Sequence, residues 1–117
     1  MEDDVVKLLI PYLAHELKGI PVKTEVPEIR PEVLVTVNPA GGSKTLFVQQ
    51  PRVVVDAWAR SDYEASKLID RVTDALLRAY EHIHIIVRVE IDSIYRSDVD
   101  NSHRWSATVN ILANRLN

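Results

Sequence analysis

The sequence predicts an α+β domain: a mostly antiparallel sheet of four to six strands with two helices packed on one face. Three observations point there. Residues 61–80 carry a single apolar stripe at helical spacing, residues 85–114 carry two runs with a two-residue rhythm, and residues 33–60 are rich in β-branched side chains. The 117 residues are read as one domain, 1–117. A chain of this length can bury a core without metal or disulfide support.

The first element is a helix. In "DDVVKLLIPYLAHELKG", Val6, Leu9, Leu13 and Leu17 recur at helical spacing with Ile10 beside them. Asp3 or Asp4 can cap its start, and Gly19 fits just past its end. Pro11 removes one helical hydrogen bond and crowds the preceding turn, so a kink or a break is expected there. Pro21, Pro27 and Pro31 then exclude a helix or a central strand, leaving room for an edge strand near Val22 to Val26.

"EVLVTVN", "TLFVQQ" and "PRVVVDAWAR" follow as strand candidates, a meander of antiparallel strands. Between the first two lies "NPAGGSK", residues 38–44. A phosphate loop needs glycine, four residues and then glycine-lysine-serine or -threonine, and it must open a helix. Here the last pair is reversed, the first glycine is missing, and a strand pattern follows. Glycine turn chemistry makes this stretch a hairpin tip within an arm at 38–50.

The second helix is "SDYEASKLIDRVTDALLRAY". Ser61 and Glu64 have capping-box spacing, and Ala65, Leu68, Ile69, Val72, Leu76, Ala79 and Tyr80 form its apolar stripe. Two long strands close the chain. Ile85, Val87, Val89 and Ile91 alternate with Arg88, Glu90 and Asp92; Trp105, Ala107, Val109, Ile111 and Ala113 alternate with Ser106, Thr108, Asn110 and Asn114. The intervening "SDVDNS" joins them as a hairpin. One sheet face is therefore apolar and the other wet, with no helix left to cover the wet one.

Composition narrows the function. There is no cysteine, so disulfides and thiolate metal sites are excluded. The formal net charge is −3, where a chain that grips nucleic acid by its phosphates is basic. "MEDDVVKLLIPYL" puts acids where a secretion signal carries positive charge, and no apolar run reaches the length of a membrane span. A soluble cytosolic domain is expected, without cofactor or metal.

Catalytic chemistry is equally sparse. His82 and His84 are two residues apart and lack a third ligand, and "DVDNS" lacks both the glycine and the closing glutamate of a calcium loop. No G-x-S-x-G motif and no serine with an evident histidine partner is present. Arg52, Asp56, Arg60, Arg88, Glu90, Asp92 and Arg104 share the wet face by alternation. Interleaved opposite charges form a solvated surface whose pairs contribute little each. The chain is read as no enzyme; a hydrolase using Asp56 or Asp92 is the minority alternative. Trp58 lies on the same face, with Val54, Ile86, Ile94 and Leu112 able to join it. Such a patch is either a partner surface or a site roofed by a loop or the proline segment of the same chain.

"PRVVVDAWARSDYEASKLIDRVTDALL" resembles the tail terminator, or tail completion, proteins of long-tailed bacteriophages. The likeness lies in the "VVVDAWA" strand, the short acidic turn and a helix with Ala65, Leu68 and Val72 inward. "RWSATVNILANR" looks like the closing strand of that family and "LAHELKG" like the end of its first helix. The resemblance covers most of the chain but rests on patterning, and Pro11 and the 21–31 segment depart from it.

The resemblance implies a structural protein of the virion, made in the host cytoplasm, whose hexameric ring caps the tail tube and ends its polymerisation. Its partners are then copies of itself, the tail tube protein and the head-tail connector, with DNA passing transiently and no membrane. Trp58, Val54, Ile94, Leu112, Gly41, Gly42 and Lys44 become the candidate contact residues. The arm around the glycines would reach a neighbour or the tube and take its order on binding. Another neck or head-tail joining protein, or a ferredoxin-like ligand-binding module, is the alternative.

Overall fold

Two helices lie on one face of a five-stranded sheet in the computed structural model, which describes residues 2–98 and 100–115, with the side chains of residues 2–4 excepted. The elements are α1 (Glu2–Glu16), β1 (Val22–Lys23), β2 (Leu34–Lys44), β3 (Val48–Ala59), α2 (Asp62–Leu77), β4 (Ile86–Arg96) and β5 (His103–Asn114), with a 3-10 turn at Ala79–Glu81. The sheet order is β1-β2-β3-β5-β4. Only the short β1–β2 pair is parallel. The α+β class and the mostly antiparallel sheet expected from the sequence are what is observed. No helix among the described residues is long and apolar enough to cross a membrane.

The core lies between the sheet and the helices. Leu9, Leu13 and Leu17 of α1 and Leu68, Ile69, Val72 and Leu76 of α2 meet Val35, Val37, Val53, Val55, Val109 and Ile111. Each such side chain contributes roughly 1.5–3 kcal/mol on burial. Ser61 caps α2, its Oγ accepting from the Glu64 N–H at 3.1 Å, as the capping spacing requires. Tyr12 ties the helices together by donating to the Ala75 carbonyl at 2.6 Å.

Several local expectations are corrected. α1 runs through Pro11 without the break that was one of the two outcomes expected there. Pro11 lies on the exposed side, where the carbonyl left without a donor can meet water. The capping role expected of Asp3 or Asp4 rests on side chains outside those described. α2 ends at Leu77, and Tyr80 is exposed on the 3-10 turn instead of completing the apolar stripe.

"NPAGGSK" is not the hairpin tip. It forms the outer half of β2, and the turn comes at Thr45–Phe47. Gly41 and Gly42, at φ +92° and +141°, absorb one extra residue as a bulge against β3 between Pro39 and Gly42. The turn is made by Thr45, whose Oγ1 accepts from the Phe47 and Val48 N–H groups at 3.3 and 3.2 Å. "TLFVQQ" and "PRVVVDAWAR" thus belong mostly to one strand, β3, which passes through Pro51. Pro51 has no N–H to give, and β3 has no β5 partner at Gln50 and Pro51.

The rhythm of β4 also breaks twice. Its pairing with β5 shifts between Ile86 and Arg88 and again between Ile91 and Ser93. Ile86 therefore faces the core and Val87 is exposed, the reverse of the strict alternation.

Two predictions follow from this architecture. A Cβ on Gly42 would lie 2.5 Å from the Gln50 carbonyl oxygen and 2.8 Å from the Pro51 Cα, whereas Gly41 has open space. Gly42→Ala is expected to destabilise by about 3 kcal/mol and Gly41→Ala by about 1 kcal/mol, read as thermal midpoints. Equal effects would mean that the bulge relaxes freely. For Tyr12, burial raises the phenol above its ordinary value, and Glu16 adds to this. The folded state holds that proton more tightly than the unfolded chain. Its contribution is therefore present below pH about 10 and declines as pH rises through the folded value. Tyr12→Phe should lose about 1 kcal/mol at neutral pH and flatten the alkaline part of the stability profile.

Candidate functional site

Cross-strand pairing fixes which side chains share the sheet face away from the helices. Leu34, Trp58 and Arg104 form one row; Thr36, Asp56, Ser106 and Tyr95 form the next. Asn38, Val54, Thr108 and Ser93 follow, then Arg52, Asn110 and Glu90, and then Arg88 with Leu112. The rows run from a covered end to an open end.

The covered end is built around Trp58. Trp58 is only 7% exposed, and Leu34 beside it is fully buried. The guanidinium carbon of Arg30, from the proline-bearing segment, lies 4.9 Å from the ring centroid, and that of Arg104 lies 5.0 Å away. Arg30 is held by the Pro31 carbonyl and the Ser102 hydroxyl, so the strap and the β4–β5 loop meet over the indole. Cations against an aromatic face are attracted to its quadrupole. The Trp58 N–H is buried and meets no acceptor among the described residues. The structure thus roofs Trp58 with its own chain and leaves it no open surface for a partner.

Next to it sits a carboxylate in an unusual setting. Asp56 is 9% exposed, and among the described residues it forms no ion pair within 4.0 Å. It accepts from Ser106 Oγ at 2.5 Å, from Thr36 Oγ1 at 3.3 Å and from Asn38 Nδ2 at 3.5 Å. Ser106 Oγ lies 2.6 Å from Ser97 Oγ, and the Arg104 Nε–H is shared between that Ser97 Oγ at 3.0 Å and the Ser97 carbonyl at 2.8 Å. An ionised carboxylate only accepts, so Ser106 gives its proton to Asp56 and Ser97 gives its own to Ser106. A directed chain therefore runs from the Arg104 guanidinium through two hydroxyls to the Asp56 carboxylate. Each bond polarises the next, which satisfies a charge that burial would otherwise penalise. Asp56 is a structural anchor, not part of a solvated charge surface.

The open end retains the solvated character expected of this face. Arg52 Nε donates to Asn110 Oδ1 at 3.0 Å, and Arg88 pairs with Glu90 at 3.1 Å with both side chains well exposed. Together with Ser43, Gln50 and Leu112 they line a groove of about 460 Å³ at the base of the arm. Exposed pairs of this kind contribute little to stability.

The remaining candidates are dispersed. Ile94 pairs with Ala107, which places it on the helix face, because the bulge at Asp92 reverses the alternation ahead of it. Asp92 itself has no cross-strand partner, so it is not part of the row that holds Glu90. Nor is it near Asp56 in register, since Asp56 lies opposite Ser106 on the far side of β5. Arg60 lies past the end of β3 and pairs with Glu32 of the proline segment. Among the described residues no group of three His, Asp or Glu side chains converges as a metal site. His82 instead lies against Tyr12, with ring centroids 5.5 Å apart.

Two features escape the sequence reading. Leu46 and Phe47 stand 67% and 73% exposed at the arm tip, because their place in an apolar run read as strand interior. Arg96 joins Asp62 at 3.2 Å and Asp98 at 2.7 Å, while Trp105 Nε1 donates to Asp62 at 3.0 Å. The Arg96 guanidinium beside Asp98 holds that carboxyl below its ordinary value. No sequence spacing signals this cluster, since Asp62 and Trp105 are brought together only by the fold. Compared with known proteins, the chain matches no family profile and no characterised sequence.

The roof over Trp58 can be tested in a Trp105→Phe background, where Trp58 is the remaining indole. Trp58→Ala is expected to cost about 3–5 kcal/mol of folding stability, as a buried aromatic does. Arg30→Ala should cost about 1 kcal/mol and shift the Trp58 emission to the red. Unchanged emission would mean that Arg30 does not shield the ring.

Proposed function

We propose that this protein is a structural subunit that assembles with copies of itself into a closed ring, in the role of a phage tail terminator. In that role the ring caps the tail tube, halts its growth and presents a surface to the head-tail connector. The observation that carries the reading is the arm. Residues 39–47 are all exposed, and the arm ends in Leu46 and Phe47, apolar side chains that stand 67% and 73% exposed among the described residues. Exposed apolar groups held out on a hydrogen-bonded hairpin have a clear use in contact with another protein.

Other features support the same reading. The resemblance to tail terminators lies in the strand, acidic turn and helix that here become β3, the turn at Ser61 and Asp62, and α2. Open-end residues of both signs, Arg52, Arg88 and Glu90, leave no uniformly basic track. With a net charge of −3, a ring of such subunits lets DNA pass without gripping its phosphates. The ferredoxin-like ligand-binding alternative gains no support from the groove at the base of the arm, which is open and polar, where small-molecule sites are enclosed and mostly apolar.

Native mass spectrometry and negative-stain imaging over a range of concentrations test the proposal. A closed cyclic oligomer that grows with concentration, alone or with tail tube protein, is the expected result. A strict monomer under both conditions sinks it.

A further inference from the structure

The arm has a charge of one sign. From Asn38 to Val55 the sequence holds no acidic residue, while Lys44 and Arg52 are cations. Arg115 adds a third at the tip, its Nη1 donating to the Thr45 carbonyl at 2.8 Å. Glu90, in the groove at the base of the arm, is paired with Arg88. Leu46 and Phe47 therefore stand exposed in cationic company.

The main chain of the tip is also satisfied from within. The Thr45 N–H donates to the Val48 carbonyl at 2.8 Å, the Phe47 and Val48 N–H groups donate to Thr45 Oγ1, and the Phe47 carbonyl accepts from the Arg115 N–H at 3.0 Å. Every N–H and carbonyl of Thr45, Phe47 and Val48 thus has a partner in the chain. A polar group that enters an apolar site unpaired costs about 1–3 kcal/mol. These three residues carry no such cost, so the tip suits a dry, enclosed seat.

Two apolar hollows on this chain do not match the tip in charge. One of about 230 Å³, beside the start of α2, is lined by Ile20, Val33 and Leu68, but its rim sets Lys67 and Arg71 against Glu64. Another of about 360 Å³, where α1 meets β2, sets Lys7 against Glu25. The first repels a cationic tip and the second is neutral. At either hollow, charge gives the tip no reason to settle on a copy of its own chain.

We infer that the arm tip docks on a different protein, in an apolar pocket about the size of one phenyl ring whose rim presents carboxylates to Lys44 and Arg115. A cavity of about 150 Å³ accepts a benzene ring, which sets the scale of that seat. An anionic lipid surface also attracts cations, but a tip of two apolar side chains is a weak anchor where even a single myristoyl chain binds only marginally. A pocket takes the whole Phe47 ring out of water, which contributes roughly 1.5–3 kcal/mol, and holds its carboxylates at fixed positions. Under the capping role proposed above, on which the partner's name rests, the occupant is the tail tube protein or the head-tail connector, and ring closure falls to another surface of this chain.

Full-length wild-type, Phe47→Asp and Lys44→Glu proteins are compared in two measurements. Sedimentation over a range of concentrations reads self-association. Titration calorimetry reads binding to tail tube protein, to connector protein and to vesicles of phosphatidylcholine and phosphatidylserine. Each variant should weaken binding to one of the two proteins by about tenfold or more, with self-association and the thermal midpoint unchanged. Self-association lost with Phe47→Asp overturns the inference and leaves the ring reading standing, because the tip then joins copies. Binding indifferent to both variants overturns the seat, and binding weakened by Phe47→Asp alone overturns its acidic rim. Binding to vesicles only, abolished by Phe47→Asp, replaces the protein partner by lipid. Closed rings that bind neither protein overturn the inference and the capping role together. A monomer that binds one of them through Phe47 supports the inference and overturns the ring.

Discussion

The structure depends on a mismatch of lengths. A helix rises about 1.5 Å per residue and a strand about 3.3 Å. The 15- and 16-residue helices therefore cover about 24 Å of sheet, while the 11- and 12-residue strands of the β2–β3 hairpin run for about 36–40 Å. Packing can bury only the stretch beneath the helices, and there Val35, Val37, Val53 and Val55 are fully buried. Past Pro39 β2 leaves the core and is exposed throughout, while β3 stays covered in part through Gln49 and Pro51. Elongation, the exposed arm and the apolar tip all follow from two helices too short for their sheet.

The face without helices solves a second problem. A sheet with one uncovered side needs polar residues there, yet Trp58 and Leu34 sit on that side. The chain covers them with arginine side chains in place of a helix. Arg104 touches the indole and also starts the hydrogen-bond chain that ends on Asp56. One guanidinium thus packs against an aromatic ring and supplies the positive end for a buried carboxylate. This couples β2, β3, β5 and the β4–β5 turn through side chains alone at the covered end, where the open end is solvated.

The sequence was legible where a period was strong and unbroken. α2 was readable because Ser61, Glu64 and the stripe through Leu76 agree with one another. β5 was readable because its alternation holds from Trp105 to Ala113. The failures share one cause, a single residue that changes phase. Irregular pairing near Val87 and Asp92 moved Ile86 and Ile94 to the core side, and a bulge at Gly41–Gly42 let β2 continue through a stretch that reads as a turn. Alternation carries no marker for such insertions, since the residues on either side keep ordinary strand composition. Arg30 over Trp58 and Asp62 with Trp105 were illegible for another reason: these contacts span 28 and 43 residues, and only the finished topology brings them together.

The glycines of the arm also act differently from what their flexibility implies. An arm rich in glycine is expected to gain its order on binding, yet here it is ordered beforehand. Gly42 lets the two strands of the arm approach so closely that a Cβ there would meet Gln50 and Pro51. On the other side of the hairpin, the Arg115 N–H donates to the Phe47 carbonyl at 3.0 Å and the Arg115 side chain holds the Thr45 carbonyl. The end of the chain therefore clamps the tip from outside the hairpin. Ordering a loop during association consumes much of its contact energy, about 0.5–1.5 kcal/mol for each rotamer-rich side chain immobilised. A tip whose backbone is already held avoids the backbone share of that loss. A small apolar contact on such an arm can then contribute to assembly out of proportion to its size, provided the clamp at Arg115 is intact.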